Sequence, residues 1–434
     1  MSSATDLLRF LGKQGLATPR QIAEGLGVSL PNVSRLAGSA GEDVWRFGRA
    51  RSTRYARTRR VDGRGPRFLI HRVDEAGTVD RWGELVALAA GRHGIILRDG
   101  TELVFEGLPP FAVDMAPQGF LGRALASRMG DVGLPARLVD WNDDHRLLAL
   151  VRRGEDTIGD LILGDESLER YFAHRPEPVA ADQFIQRARG VLRGEVGSSA
   201  GGEHPKFAAL VEGRHVLVKF AAADADATVQ RWRDLLIAEA IALETARDGG
   251  ISAPPVRRRS LEGWQFLEVE RFDRVGPRGR RAVLSFGAVD NEYVGVGASW
   301  SAVASALHAR KLLGAEDLRA VRWLDVFGNL IGNTDRHLGN LSLLGDFRGP
   351  YRLAPVYDML PMAFAPTAAG GVVDRPLALQ TPKAETIDVW ADAALRAAQF
   401  WERLVRTPEL SQGFRELAKR SGDEVTALRA SVPL

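Results

Sequence analysis

Length, composition and charge limit what this chain is. Its 434 residues are enough for two or three domains, and 45% hydrophobic residues supply packed cores. The absence of cysteine excludes disulfides, thiolate metal sites and a cysteine nucleophile. No stretch approaches the roughly 18 apolar residues of a membrane helix, and charges interrupt the N-terminus too early for a signal peptide. We therefore expect a cytoplasmic protein with no membrane partner.

The positive charge is concentrated at one end of the chain. The formal net charge is +3, yet residues 1–60 hold eleven Lys/Arg against four Asp/Glu, a local balance of +7. A basic module attached to a nearly neutral body indicates a polyanionic partner. A solvated basic surface is the alternative.

The first 40 residues predict a helix-turn-helix. A helix begins in residues 4–12, where leucines share one face. Thr18 and Gln21 form a capping box at the start of a second helix, which Gly27 closes. Ser29 then caps a third helix.

The segment VWRFGRARSTRYART alternates apolar and basic residues around a turn, as in a two-stranded wing. Together with the preceding helices it resembles the winged-helix DNA-binding domains, so DNA is the expected partner and the nucleoid the expected location. The third helix would present Asn32, Ser34 and Arg35 to the bases. The wing would contact phosphates through its arginines, namely Arg49, Arg51, Arg54 and Arg57. Protein docking is the alternative role of such a module.

The middle of the chain predicts a mixed α+β region. VDGRGP at 61–66 has the composition of a linker. Beyond it, strand-like runs (FLIHRV, GIILRDG, ELVFEG, LLALV, IGDLILG) alternate with helix-like runs (RWGELVALAAG, GFLGRALASRM). RPEPVAADQ predicts a second junction. The remaining residues predict strands and glycines at 195–220, a long helix at 226–247, strands near 255–270 and mostly helices thereafter.

The strongest chemical signal is IGNTDRHLGNLSLLGDFRGPYRLAPVYDML, at 331–360. Asp335 and Asn340 have the spacing of the Asp and Asn in a kinase catalytic loop. NLSLL and YRLAPVYD predict a hairpin around GDFRGP, with Asp358 ending its second strand. Asn340 and Asp358 would bind Mg²⁺ through oxygen, leaving Asp335 to orient the attacking hydroxyl. Each residue alone is equally typical of a turn or a cap, but the combination favours catalysis.

A second signal is a lysine inside the apolar strand VLVKF. Lys219 needs an anionic partner if it is buried, and ATP phosphates would supply one. An edge-strand lysine pointing to water is the alternative. The following helix offers Glu239 as the first candidate for an ion pair with Lys219, and Glu244 as the second.

Two further segments are weaker signals. The glycine-rich GSSAGGEHPKF, with Gly197, could bind phosphate through backbone amides, or be no more than a linker. In LEVERFDRV, an apolar strand runs into a charged turn, where a kinase joins its two lobes. Backbone groups near Glu270 and Phe272 would then pair with adenine.

Taken together, SSAGGEHPKF, VLVKF, VERFDR, GNTDRHLGNLSLL and LAPVYDMLP resemble the HipA family of toxin kinases in order and spacing. DRWGELV, FEGLPP and IGDLILG are similar to its N-terminal subdomain, so the resemblance covers roughly residues 70–430. It implies a bilobal, protein-kinase-like fold and phosphate transfer from ATP to serine or threonine hydroxyls of proteins.

The resemblance also implies a role for each matching residue. Asp335 is the catalytic base, Asn340 and Asp358 bind Mg²⁺, and Ser199 or its neighbour Ser198 is autophosphorylated, which inactivates such kinases. The residues implied to lie at ATP are Lys219, Gly201, Gly202, Lys206, Glu239, Glu270, Phe272 and His337. For His337, packing of the loop is an equally good interpretation.

The chain departs from the family pattern at three places. His204 stands where the family commonly has Gln, so we expect the phosphate contacts of the glycine loop to differ from those of the family. Leu338 and Gly339 replace a small residue and a lysine, so we expect a different choice of target. The fused DNA-binding module is typical of a solitary branch, since ordinary members leave DNA to a separate antitoxin.

The resulting expectation is an α+β protein with four parts. These parts are a winged helix-turn-helix at 1–62, a HipA-like N-terminal subdomain at 67–178, a small kinase lobe at 179–272 and a helical lobe at 273–434. An antitoxin and a homodimer are both compatible with this organisation. The expected function is an ATP- and Mg²⁺-dependent serine/threonine protein kinase toxin. The alternatives are a DNA-binding regulator that senses nucleotide, a metal-dependent enzyme acting on DNA, and a kinase of small molecules.

Overall fold

The computed structural model describes residues 2–127, 129–174, 176–194, 204–224, 226–367 and 369–432. They mix helices with sheets and fall into two compact units. The first unit comprises Met1–Asp74, Thr78–Pro117 and Arg128–His174. The second comprises Glu75–Gly77, Gln118–Ser127 and Arg175–Leu434.

The first unit begins with three helices and a small antiparallel sheet in the order β1-β3-β2. The Thr18 hydroxyl accepts the Gln21 amide at 3.1 Å, and the Gln21 side chain accepts the Thr18 amide at 2.8 Å. This capping box fixes where the second helix begins, and Gly27 ends that helix in a left-handed conformation. The elements are α1 Ala4–Gln14, β1 Leu16–Ala17, α2 Pro19–Leu26, α3 Leu30–Ala40, β2 Val44–Phe47 and β3 Arg54–Arg57.

These elements pack firmly on the rest of the first unit. Trp45 of β2 is buried in a cluster with Val86 and Leu88. A Cβ placed on Gly94 would lie 2.1 Å from the Trp45 ring, so only glycine permits this approach. The linker-like segment at 61–66 is a tight turn in which the amide and carbonyl groups of Val61 and Arg64 pair at 2.9 and 3.0 Å.

An antiparallel five-stranded sheet forms the body of the first unit, in the order β7-β6-β5-β4-β8. In chain order, two helices follow the fourth strand of this sheet, and the fifth strand has one helix before it and one after it. The elements are β4 Arg67–Val73, β5 Val79–Ala87, β6 Arg92–Leu97, β7 Glu102–Glu106, α4 Pro110–Met115, α5 Gly119–Ala126 (in the second unit), α6 Asp143–Arg153, β8 Leu161–Leu163 and α7 Asp165–Ala173.

Two sequence predictions in this region are wrong. RWGELVALAAG, predicted as a helix, lies mainly in β5, where the consecutive residues Leu85, Val86 and Ala87 are all buried, so the segment lacks the alternation of a half-exposed strand. LLALV, predicted as a strand, lies inside α6, which Asn142 caps through the His145 amide at 3.0 Å. Short continuous apolar runs do not distinguish a buried strand from a buried helix.

After α5, the second unit continues with a helix and an antiparallel four-stranded sheet in the order β11-β12-β10-β9. A cluster of aromatic side chains, including Phe184, Phe207, Phe220 and Phe266, fills one face. The long helix α9 packs on the other face through Leu236 and Ala240. The elements are α8 Phe184–Gly194, β9 Lys206–Val211, β10 Arg214–Ala221, α9 Ala227–Asp248, β11 Val256–Leu261 and β12 Trp264–Glu270.

The remainder of the second unit is mainly helical. Its elements are β13 Arg274–Val275, β14 Gly279–Arg280, β15 Val283–Ser285, α10 Phe286–Val289, α11 Trp300–Ala309, α12 Ala315–Leu330, β16 Ser342–Leu344, β17 Arg352–Leu353, α13 Ile387–Val405 and α14 Gln412–Ser431. Across the ranges that the structure describes, no helix is both long and apolar enough to cross a membrane.

The predicted hairpin after the catalytic-loop motif is present but shorter than expected. β16 pairs with β17 over two registered positions, and Asp358 lies beyond the end of β17 rather than terminating it. Pro355 has no amide to donate to a ladder, and the Val356 amide donates elsewhere, to Ser252 O at 2.8 Å. The strand pairing therefore stops before Asp358, whose own φ is +50°.

Candidate functional site

The site of the second unit is built around a buried lysine. Lys219 lies on β10, a central strand, and only 7% of it is exposed. Its Nζ donates to both carboxylate oxygens of Glu239, at 2.6 and 2.8 Å, and also to Asp358. Glu239, on α9, is 1% exposed, whereas the more exposed Glu244 takes no part. One cation thus joins the sheet, the long helix and the segment after the hairpin.

The charges in this cluster depend on one another. Burial raises the pKa of Glu239, against the attraction of Lys219. Burial also acts to raise the pKa of Asp358, but the attraction of Lys219 and then Lys206 outweighs it and lowers that pKa to about 2. Burial opposes the charge of Lys219, yet Asp358 and Glu239 together raise its pKa above the ordinary value. The lysine therefore stays protonated at neutral pH.

A short loop after α12, at residues 331–340, carries the proposed catalytic base and is named the catalytic loop after that proposal. The Asp335 side chain is half exposed, with a relative accessibility of 50%. Asn340 donates through Nδ2 to the Asp335 carbonyl at 2.8 Å and to its Oδ2 at 3.1 Å. The five-residue spacing therefore folds the loop back so that the two side chains touch, and the carboxylate remains accessible to a ligand.

The oxygen atoms of Asn340 and Asp358 suit a hard cation. Because Asn340 Nδ2 donates to Asp335, Oδ1 is the atom of that amide left for a metal ion. Asp358 is ionised at neutral pH and its side chain is 28% exposed. An ionised carboxylate and a side-chain amide oxygen are ligands that Mg²⁺ accepts. Within the described ranges, no group of three or more His, Cys, Asp or Glu side chains forms a site for a more tightly ligated metal.

Two bridges that the sequence analysis missed connect the catalytic loop to the Asp358 segment. The side chain of Asn333 accepts the Asp335 amide at 3.0 Å and donates to the Asp358 carbonyl at 3.3 Å. The Tyr357 hydroxyl donates to the Gly339 carbonyl at 3.0 Å. Both residues lie within the motif at 331–360, but only the folded geometry shows what their polar atoms contact.

Neighbouring contacts hold the catalytic loop in place. The Trp300 indole donates to the His337 carbonyl at 3.0 Å, and the His337 ring accepts the Gly339 amide at 3.1 Å. His337 Nε2 lies 3.7 Å from Asp335 Oδ1. His337 is therefore both a packing residue of the loop and a neighbour of the proposed base, so both sequence interpretations describe part of its position.

The predicted adenine-binding segment is only partly available. The Glu270 amide donates to Pro255 O at 3.0 Å, and the Arg271 amide donates to His215 O at 2.8 Å. Among the described residues, the Phe272 amide has no such acceptor, and its ring stacks on Tyr357 at 5.9 Å. A base placed here would therefore pair with the Phe272 amide and not with that of Glu270.

Most of the predicted phosphate-binding and autophosphorylation residues of the glycine-rich segment cannot be placed. Gly197, Ser198, Ser199, Gly201 and Gly202 lie outside the described residues.

Lys206 begins β9, and His204 lies two residues before it. Lys206 is the register partner of Lys219. The His204 ring centroid lies 4.7 Å from that of Trp232. Burial lowers the pKa of His204 to about 3, and repulsion from Lys219 and Lys206 acts in the same direction. His204 is therefore a neutral side chain beside two cations.

The candidate DNA-contacting residues lie in the first unit. On α3, Asn32, Ser34 and Arg35 are exposed, while Val33 and Leu36 are buried. This separation leaves one polar face of the helix free for a ligand. The candidates in and beside the β2–β3 connection differ in exposure: Arg49, Arg51 and Arg57 are exposed, and Arg54 is half-buried.

Comparison with known families gives two matches along the chain. Residues 64–172 match the family described as YjjJ-like toxin, middle domain. Residues 198–425 match the HipA-like C-terminal domain. The second match alone spans more than half of the chain.

Comparison with individual proteins agrees with these matches. Toxin YjjJ of Escherichia coli (strain K12) is 36% identical over 446 residues, covering 100% of this chain and 99% of the relative. Among solved structures, the Shewanella oneidensis MR-1 toxin–antitoxin system HipA, HipB and its operator DNA complex gives a TM-score of 0.57 at 17% identity. That match covers 83% of this chain and 96% of the other. Helicobacter pylori proinflammatory kinase CtkA gives a TM-score of 0.37 at 15% identity over 53% of this chain and 90% of its own, too low to support an inference.

The full-length relative and the HipA-like C-terminal match both cover the residues that carry the ion cluster and the catalytic loop. The HipA structure adds agreement in fold. The chain therefore belongs to the family of HipA-like toxins.

Proposed function

We propose that this protein is an ATP- and Mg²⁺-dependent serine/threonine protein kinase of HipA type that is bound to DNA through an N-terminal winged helix-turn-helix. The observation that carries the proposal is the cluster of Lys219, Glu239 and Asp358, linked through the Asp358 backbone to the loop of Asp335. Such a cluster supplies a cation for phosphates, ligands for Mg²⁺ and a free carboxylate within one site.

Each residue of the site would have a separate role in phosphate transfer. Asp335 would hold the acceptor hydroxyl and take its proton as the oxygen forms a bond to the γ-phosphorus. The bond from that phosphorus to the β–γ bridging oxygen breaks, and ADP leaves. Lys219 would bind phosphate oxygens, and Mg²⁺ held by Asn340 and Asp358 would neutralise charge. Positioning and charge neutralisation account for most of the rate in such reactions.

DNA binding is supported by separate observations in the first unit. The exposed face of α3 carries Asn32, Ser34 and Arg35, and the arginines near the β2–β3 connection lie on the same basic segment. The order of three helices followed by a hairpin is that of a winged helix. The HipA structure of similar fold was solved with HipB and operator DNA. We propose the same class of partner here, contacted by this chain's own module.

The decisive experiment is incubation of the purified protein with Mg²⁺ and γ-labelled ATP, with and without protein substrates from a lysate. The wild type should become labelled or transfer label, and mass spectrometry should place autophosphorylation on Ser199 or Ser198. Asp335→Asn should reduce transfer by several orders of magnitude, since it removes the proton acceptor. Asp346→Asn, in the turn of the hairpin, is the matched control and should remain active.

Three outcomes would each overturn the proposal or one of its parts. Transfer by Asp335→Asn at the wild-type rate would refute the role of Asp335. Nucleotide binding without transfer under every substrate condition would favour a regulator that senses nucleotide. Cleavage of plasmid with Mg²⁺ and no ATP, lost in Asp358→Asn, would favour an enzyme acting on DNA.

A further inference from the structure

Asn333 is a buried residue whose two side-chain ends contact two different parts of the site. It is 1% exposed and lies between the end of α12 and Asp335. Its Oδ1 accepts the Asp335 backbone amide at 3.0 Å. Its Nδ2 donates to the Asp358 backbone carbonyl at 3.3 Å and approaches Met359 Sδ at 3.4 Å.

The chemistry of the asparagine amide suits this position. An amide offers an acceptor at one end and a donor at the other, separated by a fixed distance. A carboxylate of the same shape would present an acceptor to the Asp358 carbonyl, and an apolar side chain would leave both backbone groups unsatisfied in a buried place. The contacts of Asn333 are therefore specific to its chemistry and are not explained by its volume.

The contact with Asp358 falls at an unusual backbone conformation. Asp358 has a φ of +50°, which is uncommon for a residue with a side chain. Such conformations persist where surrounding contacts hold them. The bond from Asn333 to the Asp358 carbonyl is one such contact, and the bond between Lys219 and the Asp358 side chain is another.

The backbone of Asn333 is itself fixed. Its amide donates to the Gly328 carbonyl at 2.8 Å. Its carbonyl accepts the guanidinium of Arg336, which also contacts Asp325 on α12 at 3.3 Å. The side-chain amide is thus held from the helix and transmits that position to the two segments that it joins.

We propose that Asn333 is a positioning residue that sets the distance between the proposed base, Asp335, and the proposed metal ligand, Asp358. The inference rests on the proposed function and deepens it. Asn333 touches neither ATP nor the acceptor in this role. It acts by keeping the base and the metal ligand in register, so its loss affects the transfer step and the use of Mg²⁺ more than the capture of nucleotide.

The chain offers a matched control in Asn329, four residues earlier. Its Oδ1 accepts the Gln380 amide at 2.8 Å, and its Nδ2 donates to the Ala378 carbonyl at 3.1 Å. Asn329 therefore makes the same two-ended backbone contact, but to a segment that carries none of the proposed catalytic or metal-binding groups. Asn329→Asp and Asn333→Asp make the same chemical change at two sites.

The experiment measures kcat, KM for ATP and the Mg²⁺ concentration for half-maximal rate in the full-length protein. Asn333→Asp keeps the acceptor for the Asp335 amide and loses the donor to Asp358. We expect kcat to fall by about 10- to 100-fold, as for misplacement on the order of 1 Å, with a higher Mg²⁺ requirement and KM for ATP within about threefold. Asn329→Asp should stay near wild type in all three. Asn333→Ser, which is too short to span both contacts, should resemble Asn333→Asp and serves if the aspartate variant does not fold.

The outcomes separate this inference from the proposed function. An active wild type with kcat unchanged in both Asn333 variants would overturn the positioning role and leave the kinase proposal intact. Equal losses in Asn329→Asp and Asn333→Asp would also overturn it. If the wild type transfers no phosphate, the kinase proposal fails, and the readout becomes the extra rise in melting temperature that Mg²⁺ gives with ADP over ADP and EDTA. That increment should be lost in Asn333→Asp and kept in Asn329→Asp; its retention in both, or its absence from the wild type, would overturn the inference.

Discussion

Replacement of Lys219 by methionine tests how the charged cluster contributes to stability. The substitution preserves much of the volume of the side chain but removes the ammonium group from between Glu239 and Asp358. Glu239 is 1% exposed and would have no cation in contact with its carboxylate. Breaking a buried ion pair from one side costs about 3–5 kcal/mol of unfolding free energy, and we expect a loss of that size at neutral pH.

The loss should depend on pH in a defined direction. Burial raises the pKa of Glu239, and removal of Lys219 raises it further because the attraction that opposes the shift is gone. A carboxyl whose pKa is higher in the folded state binds more protons folded than unfolded, so stability falls as pH rises through that range. Lys219→Met should therefore be less destabilising at pH 5 than at pH 8.

A double-mutant cycle measures the interaction energy between Lys219 and Glu239 separately from the cost of each substitution alone. Glu239→Gln alone should cost about 1–3 kcal/mol, as for a lost charged hydrogen bond, because Asp358 remains as a counter-ion of Lys219. The variant with both substitutions should recover most of the loss of Lys219→Met, since no unpaired carboxylate remains at Glu239. Lys206→Met removes a cation from the partner position on β9 and serves as the control, with an expected cost below about 1 kcal/mol.

The measurement is urea unfolding followed by tryptophan fluorescence, because Trp264 lies in the core of the same sheet. A loss in Lys219→Met no larger than in Lys206→Met would refute the reasoning. Failure of the double variant to recover stability would refute it as well.

Three further expectations concern other parts of the molecule. The pKa of His204 is lowered to about 3, so the unfolded chain binds more protons between about pH 6.5 and 3 and stability is lost as pH falls through that window. His204→Gln should flatten that loss in acid unfolding curves, whereas a change at the exposed His174 should not; equal slopes would refute the assignment. Arg51→Gln should weaken DNA binding and lower the slope of log affinity against log salt by about one, and an unchanged slope would remove Arg51 from the interface. Gly94→Ala brings a Cβ to 2.1 Å from Trp45 and should cost about 1–3 kcal/mol by overpacking, so an unchanged melting temperature would contradict the packing.

Local chemistry made some elements predictable. The ends of α2 could be predicted from the sequence because the residues that satisfy their backbone groups, Thr18, Gln21 and Gly27, lie within or next to the helix. The helix predicted at 226–247 is present as Ala227–Asp248. Asp226 caps its start by accepting the Thr228 amide at 2.7 Å.

Tertiary context decided the elements that were predicted wrongly. RWGELVALAAG lies mainly in the middle strand β5, which pairs with β4 and β6, and its own run of apolar residues does not indicate that pairing. The missing donor of Pro355 and the contact between Val356 and Ser252 ended the hairpin before Asp358. In the hairpin, the deciding partner Ser252 is distant in sequence, and the bond from Pro355 is one that cannot form.

The site shows the same division between what spacing predicts and what contacts decide. Spacing indicated Asp335, Asn340 and Asp358, because kinases have a catalytic Asp and two metal-binding side chains in that order. The roles of Asn333 and Tyr357 could not be predicted, because each acts through backbone groups whose proximity exists only in the fold.

The contacts around Asp358 explain why this site needs several separate segments of the chain. Its side chain is held by Lys219 from the sheet, its carbonyl by Asn333 from the catalytic loop, and Lys219 is shared with Glu239 from α9. A carboxylate restrained at both its side chain and its backbone loses little freedom when it binds a cation, so less of the binding free energy is spent on ordering it. The same restraint makes the geometry sensitive to any one of the three contacts. Removal of Lys219 should therefore lower stability and nucleotide capture together, whereas removal of the Asn333 contact should mainly slow the transfer step.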